Sequence, residues 1–187
     1  MFRIPITDNL THLLRKNNFG VNVGVDNFLN KHGDIEIKKL EVVRYVFTNK
    51  AIMEGMKIIS PNFKKKAKYN KAYHTFLLVN DNIKINKDDT MSITFLKSKP
   101  EGEFMNVPIH KPITIYELIE NAKHRYGINM LKKYNLKYNN CQHFSINILN
   151  ASGLLNPIIK DFTKQETEES VSASLNDDVN TITDTLN

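Results

Sequence analysis

The segment with the most chemical content is Tyr138-Asn139-Asn140-Cys141-Gln142-His143-Phe144, which holds the only cysteine of the chain. An asparagine just ahead of an apolar run is a helix N-cap, so Cys141 falls in the first turn of a helix. Unpaired backbone N–H groups and the positive end of the helix dipole favour a thiolate there and lower the cysteine pKa. The N–H of Cys141 can also hold an oxyanion, with Asn140 and Gln142 as neighbouring supporting groups. Gln142 itself is expected to be an exposed helix glutamine that adds at most a polar contact. A free cysteine inside a protein is ordinarily a small hydrophobe. The polar Asn139-Asn140 lead-in, the helix start and a histidine near the beginning of a strand argue for chemistry instead.

A cysteine nucleophile needs a base within hydrogen-bond reach, and a histidine fixed on a strand can supply one across a cleft. His74 is the candidate, because Tyr73-His74-Thr75-Phe76 opens an apolar run. The base in turn needs a polar group that fixes its tautomer. With a three-residue turn at Asn80, Asp81 and Asn82, Val79 faces Ile83, and the same register pairs His74 with Asp88, Phe76 with Asn86 and Leu78 with Lys84. Strand side chains alternate with period two, so Asn86 and Lys84 then share the face of His74. Asn86 becomes the candidate orienting group, whereas a two-residue turn reverses the parity. His143 lies two residues after the cysteine, about 200° around a helix, and is expected to face away from the site as a structural residue. His12, His32, His110 and His124 show no metal-ligand spacing.

A histidine opening a strand, a hairpin, and then Asn140-Cys141-x-His143-Phe144 at a helix start resembles the circularly permuted papain-like superfamily. That superfamily comprises NlpC-type hydrolases and the lecithin:retinol acyltransferase-like group, including H-Ras-like phospholipases. Asn140, Cys141, His143 and Phe144 match the Asn-Cys-Glu-His-Phe pattern of the acyltransferase-like group, with Gln142 in place of the glutamate, and His74 matches its strand histidine. The resemblance covers about residues 70 to 150 and rests on two short motifs. It implies a Cys-His acyl-transfer site in which His74 deprotonates Cys141 and the thiolate forms a thioester with an ester or amide substrate, needing no metal and no organic cofactor. The acyltransferase-like group has a second histidine where this chain has Asn86. Asparagine is an acceptable orienter in papain-like enzymes, so the implied triad is Cys141, His74 and Asn86, and the departure bears on lipid specificity more than on thiol chemistry.

The elements that must position these residues are partly readable. Tyr73–Val79 and Ile83–Asn86 form a hairpin, and Met91–Leu96 continues the meander into a loop around Pro100 and Gly102. Thr114 and Glu117 form a capping box that opens a helix running to about Tyr126 and ending at Gly127. The last helix starts near Asn140 and Cys141, carries Phe144, Ile148, Leu149 and Ala151 on its apolar side, and stops at Gly153. Ile35 begins a possible strand, but Val42, Val43, Val46, Phe47, Ile52, Met53 and Met56 recur at helical spacing and predict a helix of about four turns before Pro61. Residues 1–34, with a short helical pattern at Leu10, Leu13 and Leu14, read as a loosely packed N-terminal segment. The expected organisation is that segment, an α+β domain over 35–162 with a small antiparallel sheet packed on helices, and a disordered acidic tail over 163–187. The fold implied is permuted papain-like, with the nucleophile at a helix N-terminus.

Composition narrows the alternatives. A chain of 187 residues with 41% hydrophobic side chains suits one domain with a packed core. One cysteine excludes an internal disulfide framework and the usual cysteine-rich zinc clusters. The chain begins without an apolar signal core, and no run of about 18 apolar residues occurs, so a soluble protein of a reducing, cytoplasmic compartment is expected, with no transmembrane segment. The net charge is +6, and the tail sets Lys164 against Glu166, Glu168, Glu169, Asp177, Asp178 and Asp184, which leaves the body more basic than the whole. Such a body suits an anionic lipid surface, an acidic peptide or nucleic acid. The excess of lysine over arginine, with abundant asparagine and isoleucine, equally reads as an AT-rich coding bias, as in a viral, mobile-element or low-GC eukaryotic gene. The lysine run Lys64-Lys65-Lys66-Ala67-Lys68 reads as a solvated loop. No aromatic-interleaved basic motif, helix-turn-helix signature or zinc finger supports a specific nucleic-acid binder. Beside the acyl hydrolase or acyltransferase, a second reading keeps the fold and discards the chemistry, as an inactive interaction or virion-associated module.

Overall fold

The computed structural model describes residues 19–46, 73–135 and 138–164. The helical pattern at Leu10, Leu13 and Leu14, the stretch Phe47 to Met56, the lysine run and all of the acidic tail beyond Lys164 lie outside the described residues. Within them the protein is α+β, an open antiparallel five-stranded sheet with helices packed on it.

The sheet is organised by a hairpin. β2 (Tyr73–Val79) and β3 (Ile83–Lys87) pair as Leu77↔Ile85, Leu78↔Lys84 and Val79↔Ile83, the register of the three-residue turn. The turn is set by its residue types: Asn80 and Asp81 sit at φ 50° and 65°, a left-handed conformation that asparagine and aspartate tolerate better than most residues. Asn80 also ties the turn to the chain entering β1, its Oδ1 accepting from Lys38 N–H at 2.9 Å and its Nδ2 donating to Glu36 O at 2.9 Å. β4 (Met91–Phe95) adds to β3, and the order across the sheet is β4-β3-β2-β1-β5.

β1 is the strand Leu40–Val46, which corrects the helix expected from Val42, Val43 and Val46. Leu40 and Val42 belong to the main core, while Val43 packs on the opposite face with Phe76 and Leu78. A strand covered on both faces is apolar without alternation, and such a run cannot be told from a helix by periodicity. β5 (Glu103–Asn106) pairs with β1 from Glu41↔Asn106 to Arg44↔Glu103, so the expected loop around Pro100 and Gly102 leads into a fifth strand. Gly102 is required there: at φ 143° an added Cβ would stand 2.7 Å from Arg44 O.

One face of the sheet carries the helices. α1 (Val23–His32) corrects the loose packing expected before residue 35. Asn22 Oδ1 accepts from Val25 N–H at 3.0 Å, and Val25, Phe28 and Leu29 are buried at helical spacing, so this stretch joins the main core. α2 (Ile115–Tyr126) opens with the capping box, Thr114 N–H donating to Glu117 Oε2 at 2.8 Å and Glu117 N–H to Thr114 Oγ1 at 3.2 Å, and closes at Gly127 with φ 79°. A short α3 (Ile128–Lys132) follows, then α4 (Cys141–Ala151), which buries Phe144, Ile148 and Leu149 against α2 and β2. α5 (Pro157–Thr163) docks on β1, where Arg44 donates to Phe162 O at 3.1 Å and lies over the Phe162 ring. Among the described residues no helix is long and apolar enough to cross a membrane.

Candidate functional site

Asn140 starts α4 by local chemistry. Its Oδ1 accepts from the N–H groups of Gln142 and His143, both at 3.0 Å, satisfying two of the donors that a helix start leaves open. His143 Nδ1 lies 2.9 Å from the same oxygen, and since an amide oxygen only accepts, the ring donates there. His143 is therefore engaged with the helix cap. The chain leading into the cap is held from behind. Met130 O, in the middle of α3, accepts from Lys87 Nζ and from Asn139 Nδ2, the latter at 3.1 Å, while Asn139 Nδ2 also reaches Lys133 O at 2.6 Å. Cys141 follows directly, a buried free thiol.

His74 comes from β2. It lies across from Tyr45 of β1, their rings 5.4 Å apart, and alternation sets it on the face of Phe76 and Leu78. Ladder pairing between β2 and β3 stops at Leu77↔Ile85, so His74 meets β3 through its side chain: His74 Nε2 is 2.6 Å from Asn86 Oδ1. Asn86 Nδ2 donates to Asp88 Oδ2 at 2.9 Å, which fixes the amide with its oxygen toward the imidazole. Nε2 must then carry a proton, leaving Nδ1 as the nitrogen that can act as a base. Asp88 Oδ1 stands 3.9 Å from His74 Nε2, and its side chain is 74% exposed.

Cys141, His74 and Asn86 are thus brought into one buried group, each less than a tenth exposed. Electrostatics couples the first two. Burial works to raise the Cys141 pKa, but a hydrogen bond with His74, the imidazole charge, and the N–H and hydroxyl of Thr75 outweigh it, so the thiol lies below its ordinary value. Burial works to lower the His74 pKa, but the bond and charge of Cys141, the bond to Asn86 and the charge of Asp88 outweigh that, and the imidazole lies above its ordinary value. Both shifts move the pair toward thiolate beside imidazolium. Burial first, then the charges of Cys141, Asp88 and Asp89, push the Tyr134 pKa up to about 12, so this phenol stays protonated at neutral pH.

Gln142 departs from the sequence reading. It is 7% exposed, buried rather than solvated, because in the first turn of α4 it shares a stripe with Ser145 and Leu149, both fully buried. Asp88 joins the site as the carboxylate that holds Asn86, and the strand parity that puts Asn86 on the face of His74 is the sequence signal for it as well. Among the described residues no group of histidine, cysteine, aspartate or glutamate side chains gathers as a metal site. No protein-family model matches the chain, and no curated protein matches it.

Proposed function

We propose that this protein is a cysteine-dependent acyl hydrolase or acyltransferase with a permuted papain-like site, Cys141 being the nucleophile, His74 the base and Asn86 the group that orients it. The observation that carries the reading is the 2.6 Å contact from His74 Nε2 to Asn86 Oδ1, made on an imidazole that is also bonded to a thiol at a helix start. A histidine fixed in the tautomer that leaves one nitrogen for a thiol is the arrangement nucleophilic cysteine chemistry needs.

In the proposed cycle the Cys141 proton passes to His74 Nδ1, and the thiolate attacks the carbonyl carbon of an ester or amide. The oxyanion that forms accepts from the Cys141 N–H at the start of the helix, with Asn140 and Gln142 framing the turn. His74 returns its proton to the departing alcohol or amine. Water, or an acceptor alcohol or amine, then resolves the thioester with His74 again as base. Asn86 keeps the ring in register throughout, and Asp88 holds Asn86. The basic body makes an ester in an anionic lipid surface the first substrate class to screen. The carboxylate beside the dyad, Asp88, favours an uncharged group at the reacting carbonyl itself.

Cys141 is the only thiol, so its alkylation by iodoacetamide reports one site. The rate is expected to persist well below the ordinary thiol pKa of about 8.5 and to lose that low-pH reactivity in His74→Ala. Alkylation that titrates as an ordinary thiol and is indifferent to His74 would overturn the proposal. A thioester trapped on Cys141 from an activated ester, read by mass spectrometry, then identifies the acyl group accepted.

A further inference from the structure

β3 carries Asn86 into the site at a point where β2 no longer holds it. The β2–β3 ladder ends at Leu77↔Ile85, while β4 continues along the other edge of β3 through Asn86↔Ser92 and Lys87↔Met91. Lys87, the next residue, faces the other way, is completely buried, and has no carboxylate partner among the described residues. A buried ammonium without a counter-charge is disfavoured, and packing alone would favour an apolar residue there. The contacts of Lys87 bracket the nucleophile. Its Nζ donates to Met130 O in α3, the carbonyl that also accepts from Asn139 Nδ2 at 3.1 Å, two residues before Cys141. It also stands 5.6 Å from the centre of the Phe144 ring, three residues after Cys141 in α4. One side chain thus joins the strand end that bears the orienting amide to the chain on both sides of the thiol.

We propose that Lys87 is a positioning residue of the site: by tying the end of β3 to Met130 O and Phe144, it sets Asn86 at its 2.6 Å contact with His74, while the turn that holds Cys141 is fixed from the same carbonyl. Lys87 touches no reacting atom and acts through Asn86 and the imidazole. Neighbours in a strand do not move independently, so a Lys87 side chain that lets go of Met130 O carries the Asn86 amide with it. Hydrogen bonds weaken steeply with misalignment, and the His74 tautomer is then less firmly set. The role rests on the Cys141, His74 and Asn86 reading of the site.

Alkylation of Cys141 against pH in Lys87→Met, in Asn86→Ala and in the double variant separates this role from packing. Methionine keeps the stem and removes both the bridge and the unpaired charge, so the fold is expected to hold, as unfolding in urea would show. With Asn86 loosened, the low-pH alkylation rate is expected to fall about threefold, a coupling of the size found between residues of one network. In the Asn86→Ala background the orienting amide is already gone, and Lys87→Met is expected to have no further effect. A residue that served the core alone would leave the profile in place, or would slow alkylation by the same factor in both backgrounds. Lys87→Leu repeats the cycle should methionine disturb the packing on Phe144. A Lys87→Met profile that superimposes on the original, or equal slowing with and without Asn86, overturns the role of Lys87, while low-pH reactivity in the unsubstituted protein leaves the dyad standing. Absence of that low-pH reactivity in the unsubstituted protein overturns the reading of the site itself.

Discussion

Replacing Lys87 with methionine is expected to stabilise the protein at neutral pH and destabilise it in alkali. Lys87 ends β3 one residue after Asn86 and is completely buried, and among the described residues no carboxylate pairs with it. Burial lowers its pKa from 10.5 to about 8. A folded-state pKa depressed by that much corresponds to about 3 kcal/mol of penalty on the charged form, all of it present at pH 7, where the ammonium is charged in both states. Methionine keeps the length and apolar stem. It loses the donation to Met130 O, which still has Asn139 Nδ2 at 3.1 Å, and the cation–π contact to Phe144 at 5.6 Å. Those losses come to about 1–2 kcal/mol, which leaves Lys87→Met ahead by about 1–2 kcal/mol at pH 7. Between pH 8 and 10.5 the unfolded chain binds more protons at this site than the folded one, so the unsubstituted protein gains stability as pH rises, and Lys87→Met does not. Urea unfolding followed by circular dichroism at pH 7 and pH 10 should therefore show the order of the two proteins reversing. A difference that is the same at both pH values would refute the claim that Lys87 is held as a desolvated cation.

Asn86→Ala removes the acceptor that fixes the His74 tautomer, and alkylation of Cys141 at pH 6 is expected to fall about tenfold without loss of the far-ultraviolet spectrum. Asp88→Asn removes a charge that raises the His74 pKa, so the imidazole titration followed by NMR should move down. The change in Cys141 reactivity should be smaller than for Asn86→Ala, because the Asp88 side chain is 74% exposed and water screens it. Asn140→Ala takes away an oxygen shared by two backbone N–H groups and the His143 ring, and should lower stability in urea by about 1–2 kcal/mol.

What the sequence revealed of this protein was what local chemistry determines. The turn residues Asn80 and Asp81 adopt the left-handed conformations their side chains tolerate, and that sets the register placing His74 and Asn86 on one face. Thr114 with Glu117, and Asn140 ahead of Cys141, bond within their own helix turns, so their roles do not depend on what packs beside them. The misreadings occurred where partners distant in sequence decide the outcome. β1 became a strand because β2 pairs along one edge and β5 along the other, while Val42 and Val43 are buried on opposite faces, none of which leaves a periodic trace in Val42-Val43-Arg44-Tyr45-Val46. Gln142 makes the same point within a helix. Phe144, Ile148 and Leu149 mark one apolar stripe, and a helix lying on a surface would leave Gln142 in solvent. α4 instead packs against both β2 and α2, so a second stripe, Gln142 with Ser145 and Leu149, is covered as well. Small and polar residues at that spacing are what a helix start wedged between a strand and another helix requires, because each approach must be close. That closeness is also what brings the first turn of α4 within reach of His74 and Thr75.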